Sequence, residues 1–274
     1  WIGGEFSSDS GKRSLKELLP GTTFDFPKSV ELIRTCVLLG SSDGDIVMDF
    51  FAGSATSGQA VMTQNAIDGQ KRRYVMVQLP EPLDPNEKEQ KAAAAYCDSL
   101  GRPRNVAELT KERLRRASNK IKNENPLFHG DLGFRVFKLD SSNIRTWDPD
   151  RNNLEQTLLD NLEHIKPGRS ETDILYELLL KLGLDLCVPI ETRSVAGKNV
   201  NSIGAGVLVA CLAESITREE VEQLALGIIA WHKELAPAGD TTCVFRDSAF
   251  ADDVAKSNLS AILFQHGIEN VRSL

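Results

Sequence analysis

The residues with the clearest chemical potential lie between Asp45 and Gly58, D-I-V-M-D-F-F-A-G-S-A-T-S-G. Asp49 and the aromatic pair Phe50 and Phe51 are followed by four small residues, Ala52, Gly53, Ser54 and Ala55, and then by Thr56. Small residues let backbone N–H groups come close to a ligand, and a helix starting at Thr56 turns the positive end of its dipole toward it. That arrangement suits a carboxylate, a phosphate or a ribose. It also occurs as an ordinary tight turn between strand and helix. The elements needed to position it are legible around it. Ile46 to Met48 reads as a buried strand that Asp49 ends, the helix runs to about Ala66, and Asp68-Gly69 stops it. Tyr74 to Val77 reads as a second buried strand, which makes a parallel strand–helix–strand unit. Gln78 stands at the end of that second strand, where an acid grips ribose hydroxyls in dinucleotide folds; its amide can both donate and accept. The absence of G-x-G-x-x-G counts against an NAD dehydrogenase.

A second motif, F-D-F-P-K-S at Phe24 to Ser29, precedes a helix entered at about Ser29, with Pro27 near its start. The pairing of F-D-F-P-K-S with D-F-F-A-G-S-A-T-S resembles the modification (Mod) subunits of type III restriction-modification systems, which are adenine-specific DNA methyltransferases. The likeness continues through R-R-Y-V-M-V-Q-L-P-E (Arg72 to Glu81), G-F-R-V-F-K-L-D-S-S-N (Gly133 to Asn143) and V-F-R-D-S-A-F (Val244 to Phe250), to the closing G-I-E-N-V-R-S-L. The resemblance implies S-adenosyl-L-methionine (AdoMet) as cofactor. It implies binding by Phe24, Asp25, Phe26 and Lys28 from the first motif, and by Asp49, Phe50, Phe51, Ala52, Gly53, Ser54, Ala55, Thr56 and Gln78 from the second unit. Gln78 in place of an acid is itself a trait of these subunits, whereas Ser29 stands where many members carry Pro. Amino-methyltransferases of this family clamp the target amino group with a [DNS]-P-P-[YFW] motif. The chain has none, so no catalytic residue is named. The expectation is the later, cofactor-binding portion of such a subunit, inactive by itself. DNA, a second copy of the chain and a helicase-nuclease restriction subunit are the partners that the resemblance implies.

Composition sets the remaining bounds. A net charge of −7 over 274 residues excludes a generally basic nucleic-acid coat, so DNA contact would need a local patch. The most basic segment is the expected helix Ala107 to Lys122, with Lys111, Arg113, Arg115, Arg116, Lys120 and Lys122. It suits either phosphate contact or an ordinary solvated face. Five scattered cysteines without C-x-x-C fit reduced thiols in a cytoplasmic protein, and four dispersed histidines give no metal site. No apolar run reaches membrane-spanning length. The start at Trp1 rather than Met suggests a fragment.

The fold class expected is α/β: a Rossmann-like AdoMet-dependent methyltransferase half-domain at 1–150, with a helical segment at 86–123, then a smaller α/β domain at 151–274 serving subunit association. Phe134 to Leu139 reads as a further strand of the first sheet. Beyond it come helices at about Leu154 to Ile165 and Glu171 to Leu182, and strands at Val188 to Arg193 and Ala205 to Leu212 joined through a turn region at Gly197 to Gly204. A capped helix from Thr217, a strand at Thr242 to Arg246, a helix at Asp252 to His266 and a last strand at Glu269 to Leu274 complete the reading.

Overall fold

The computed structural model describes residues 3–22, 24, 27–146, 153 and 163–274, and the chain divides into two units, Trp1–Phe134 and Arg135–Leu274. The expected helix at Leu154 to Ile165 lies, up to residue 162, outside the described residues, as do Asp25 and Phe26.

In the first unit β1 (Ile46–Asp49) and β2 (Arg73–Met76) pair in parallel, from Ile46 opposite Arg73 to Asp49 opposite Met76. The crossover is α3 (Thr56–Asp68), which ends on Gly69 in the left-handed region at φ 71°. Only glycine takes that φ without steric cost, and the Gly69 N–H caps the helix on the Asn65 carbonyl. Four helices surround this unit: α1 (Ser8–Leu18), α2 (Val30–Gly40), α4 (Lys91–Ser99) and α5 (Val106–Glu124). Ser29 caps α2 by accepting the Leu32 N–H at 3.3 Å, a concrete role for the serine found where proline is usual. Leu15, Leu18 and Leu19 are the buried edge of helix α1 and its C-terminal cap. With Met62 of α3 and Leu114, Ala117 and Ile121 of α5 they form the main core of the unit. Gly58 lets α3 and α5 approach, since a Cβ there would sit 2.7 Å from Leu114 Cδ2.

The strands themselves are not buried as expected. Helices cover only the face carrying Tyr74 and Met76, which lie beside Gly58. On the other face Ile46 and Met48 are 54% and 51% exposed, with Val75 beside them. An apolar parallel strand calls for cover on both sides, and among the described residues this sheet has two strands and cover on one.

The second unit holds a mixed sheet in the order β3 (Ile190–Val195), β4 (Lys198–Ile203), β5 (Leu208–Cys211), β6 (Thr242–Phe245), β7 (Asn270–Ser273). β3 to β5 run antiparallel, and β5 to β7 run parallel through α7 (Arg218–Leu235) and α8 (Asp253–Gln265). Both helices bury Val221, Leu224, Ile228, Leu259 and Leu263 on one face of the sheet. On the other face, α6 (Glu171–Lys181) buries Ile174, Leu175, Leu178 and Leu179. The central β5 is covered on both sides, hence its unbroken apolar L-V-A-C. The expected T-R-E-E cap is present: the Glu220 carboxylate accepts the Thr217 N–H at 2.8 Å.

Two expectations fail here. Gly197 to Gly204 is no turn region but largely β4, because Ala196 and Gly197, at φ 51° and 75°, already complete a two-residue hairpin turn. Phe134 to Leu139 forms no strand, and the boundary between the two units falls after Phe134. Side chains in the segment after Phe134 attach to the second unit instead of to a ladder. The Arg135 guanidinium donates to the Leu186 and Val188 carbonyls, and the Phe137 ring stands edge-on to Tyr176 at 4.9 Å.

Candidate functional site

Strand β1 delivers Asp49 to the start of the loop, and the carboxylate is used at once. Its Oδ1 accepts the Phe51 N–H at 3.1 Å and its Oδ2 accepts the Ser57 hydroxyl at 2.6 Å, tying strand end, loop and first turn of α3 together. The chain then runs back along β2, with the Ala52 N–H on the Val77 carbonyl at 3.0 Å. Gly53 adopts φ 50° and Ala55 φ 61°, so two left-handed residues make the turn into the helix. The alanine is the costlier of the two, because its Cβ crowds the carbonyl in that region.

Three side chains from outside the loop hold it. Gln78 Oε1 accepts the Gly53 N–H at 2.7 Å while its Nε2 donates to the Leu79 carbonyl at 3.0 Å. Thr110 donates its hydroxyl to the Gly53 carbonyl at 2.5 Å. Arg113, with no exposed surface, donates through Nη1 to the Ser54 carbonyl (3.1 Å), to Ser54 Oγ (2.6 Å) and to Thr56 Oγ1 (2.9 Å), and through Nε to Gln59 Oε1 (2.9 Å). Burial pushes this guanidinium down to about 10.

The two motifs quoted from the sequence converge. A Cβ on Gly53 would lie 3.6 Å from the Phe24 ring, so Phe24 packs beside the loop. Lys28 is exposed, with its ammonium in no ion pair among the described residues. Phe50 and Phe51 turn outward, and Phe51 is 87% exposed, which leaves aromatic surface open at the rim. Ser54, Ala55 and Thr56 are buried beneath, serving the turn. Asp25 and Phe26 lie outside the described residues.

Thr110 and Arg113 were missed as part of this site; the sequence reading grouped Arg113 with a basic run suited to phosphate contact or to an ordinary solvated face. A signal was present. Leu109, Arg113, Ala117 and Ile121 recur every fourth residue on α5, which puts the arginine inside the apolar stripe. Most of the remaining basic residues are internally engaged: Lys111 pairs with Glu108, Arg115 and Arg116 pair with Glu112, and Lys120 reaches Glu17 at 2.5 Å, while Lys122 is exposed.

Parallel strands joined by a helix, with a small-residue loop at the carboxyl end of the first, define a parallel α/β unit. Residues 1–77 match the family model described as DNA methylase. Over longer stretches the chain is similar to modification subunits of type III restriction-modification enzymes. It is 31% identical to the StyLTI Mod subunit of Salmonella typhimurium over 142 residues, 52% of this chain and 20% of that one. Against the EcoP15I Mod subunit of Escherichia coli it is 29% identical over 226 residues, 81% of this chain and 32% of the relative. Against the EcoPI Mod subunit of Escherichia phage P1 it is 35% identical over 120 residues, 44% of this chain and 17% of the relative. The chain thus spans a third or less of the curated relatives it matches. Among the described residues no helix is long and apolar enough to cross a membrane, and no cluster of ligands could hold a metal ion.

Proposed function

We propose that this chain is the AdoMet-binding portion of a DNA adenine-N6 methyltransferase of the type III kind. The observation that supports it best is the clamped loop from Asp49 to Thr56, with Phe24 of the second motif packed beside it. The residues fit the cofactor. Small residues leave room at the loop, the exposed rings of Phe50 and Phe51 offer a stacking surface, and Lys28 offers an exposed cation. Asp25, Phe26 and Gln78 complete the proposed set, Gln78 through its hold on Gly53. AdoMet bound there supplies the methyl group; the protein's part is to hold the donor in line with the target amino group.

The clamp on the target base lies outside this chain, since no [DNS]-P-P-[YFW] motif is present. The bare face of β1 and β2 supports the same reading: a half-domain of Rossmann-like type needs a covering layer, and two thirds or more of each relative lies outside the matched stretch. DNA, a second copy of the subunit and a restriction subunit are the proposed partners, in the cytoplasm.

Calorimetric titration with AdoMet tests the site. Gly53→Val forces a branched residue to φ 50° against Phe24, and Asp49→Ala frees the Phe51 N–H and the Ser57 hydroxyl. Both variants are expected to lose at least tenfold in affinity with unchanged circular dichroism. Undiminished binding in both sinks the assignment. Labelled AdoMet with mixed-sequence DNA is expected to give no transfer by this chain alone; label on adenine shows that the target clamp is present after all.

A further inference from the structure

We propose that Arg113 is a positioning residue for the loop, one that fixes its shape before any ligand arrives. The inference rests on the cofactor-site reading above and adds a residue to it from a helix 50 positions further along the chain. Arg113 is an unusual core residue. A guanidinium without exposed surface normally sits against a carboxylate, as Arg72 of this same unit does against Asp68 at 2.9 Å. Arg113 has no such partner among the described residues. Its Nη2 is buried without a hydrogen bond, and its other donors converge on Ser54, Thr56 and Gln59. Burying a charge with neutral acceptors alone is costly, and a leucine or methionine would fill the same stripe at less expense. What the arginine adds is one nitrogen, Nη1, that gathers the Ser54 carbonyl, the Ser54 hydroxyl and the Thr56 hydroxyl at the point where the chain passes through left-handed Ala55.

Thr110 lies one turn earlier on the same helix face and holds the Gly53 carbonyl, so consecutive carbonyls of the loop are fixed from α5. With Gln78 on the Gly53 N–H, both polar ends of the Gly53 backbone are held by side chains. A loop so restrained loses little further freedom on binding, which is the general source of affinity by preorganisation. The segment that read as a phosphate contact or a solvated face thereby serves as the buttress of the cofactor loop.

The test is amide hydrogen exchange on the full chain without ligand, read peptide by peptide, alongside AdoMet calorimetry. Arg113→Met keeps the stem and removes the guanidinium. It is expected to raise exchange across residues 51–57 at least tenfold over any rise in β2 and α5, and to weaken AdoMet at least tenfold. Arg113→Lys, which keeps the charge and part of the bonding, is expected to fall between. Thr110→Val is expected to raise exchange at the same peptide to a lesser degree, and Lys122→Met, altered on the exposed side of α5, to leave it unchanged. In Arg113→Ala, millimolar guanidinium is expected to restore loop protection, which a purely space-filling role would not allow. If Arg113→Met unfolds the unit, Arg113→Lys and Thr110→Val carry the same comparison. Loop exchange that rises no more than the rest of the unit in these variants overturns the proposal. If the loop responds as expected but the parent chain binds no AdoMet, the positioning role stands and the cofactor reading falls. If AdoMet binds and the loop is indifferent to Arg113, the reverse holds.

Discussion

At the scale of single residues, Ala55 shows how strain and burial set a position. It is fully buried at φ 61°, where an L-residue is disfavoured by roughly 1–2 kcal/mol. Ala55→Gly relieves that strain, but loses a buried methyl worth about 0.8 kcal/mol and adds backbone freedom to the unfolded chain at about 0.5–1 kcal/mol. The terms nearly cancel, so urea unfolding of this variant is expected to match the parent within about 1 kcal/mol. Ala55→Val is different, because a β-branched residue at positive φ is a genuine outlier and its extra methyls have no space in the core beside Met62 and Leu114. A loss of about 2–3 kcal/mol is expected. A Val variant as stable as the Gly variant contradicts the left-handed assignment. None of this was legible in advance. The small-residue loop was plain from D-F-F-A-G-S-A-T, but which of its residues turns left-handed depends on the clamps at Gln78, Thr110 and Arg113, and two of those lie more than 50 residues away.

At the scale of elements, periodicity identified helices and strands wherever one face is buried against one layer. It misled where burial is irregular. In K-N-V-N-S-I the last four residues are all buried, including Asn201 and Ser202, so β4 lacks the alternation that announces a strand. Phe134 to Leu139 has the alternation, but Arg135 and Phe137 spend their side chains on other parts of the second unit rather than on a ladder. The residues just beyond make α6 pH-sensitive. Burial raises the Glu177 carboxyl, but hydrogen bonds from Lys181, from the Ser142 hydroxyl at 2.5 Å and from the Asn143 N–H at 2.6 Å outweigh it and hold it down to about 2. A carboxylate whose folded pKa lies below its unfolded value of 4.5 contributes stability above about pH 4.5, and that stability is lost as pH falls toward 2. Glu177→Gln is therefore expected to lower stability by about 1–2 kcal/mol at pH 7, after allowance for solvent screening. The gap to the parent should close between pH 4.5 and 2. Urea titrations at pH 7 and pH 3 check it, and a gap that stays constant argues that Glu177 is not ionised in its docked position.

At the scale of the whole chain, two surfaces compete for the role of contact surface. The sequence suggested the later unit, because it has its own core and no ligand loop. Its exposed apolar side chains, such as Leu226, Val254 and Phe264, come from two helices and sit beside a sheet already covered on both faces. The first unit shows the opposite: Ile46, Met48 and Val75 stand on adjacent paired strands, exposed among the described residues, and Phe50 and Val77 continue the same two chains. A contiguous apolar face of this kind is uncommon on a free monomer, and a parallel two-stranded sheet bare on one side lacks half its normal cover. The physical argument thus shifts the adhesive surface of this chain to the sheet. Lysine at Met48 and Val75 places two charges on that face without touching the helix-covered side. Sedimentation equilibrium across a wide concentration range is expected to show self-association of the parent chain and a monomer for Met48→Lys, Val75→Lys. The double variant should also lose enhancement of an apolar dye, while Val254→Lys, Phe264→Lys retains both properties. Association that survives the sheet substitutions and disappears with those on α8 returns the contact to the later unit.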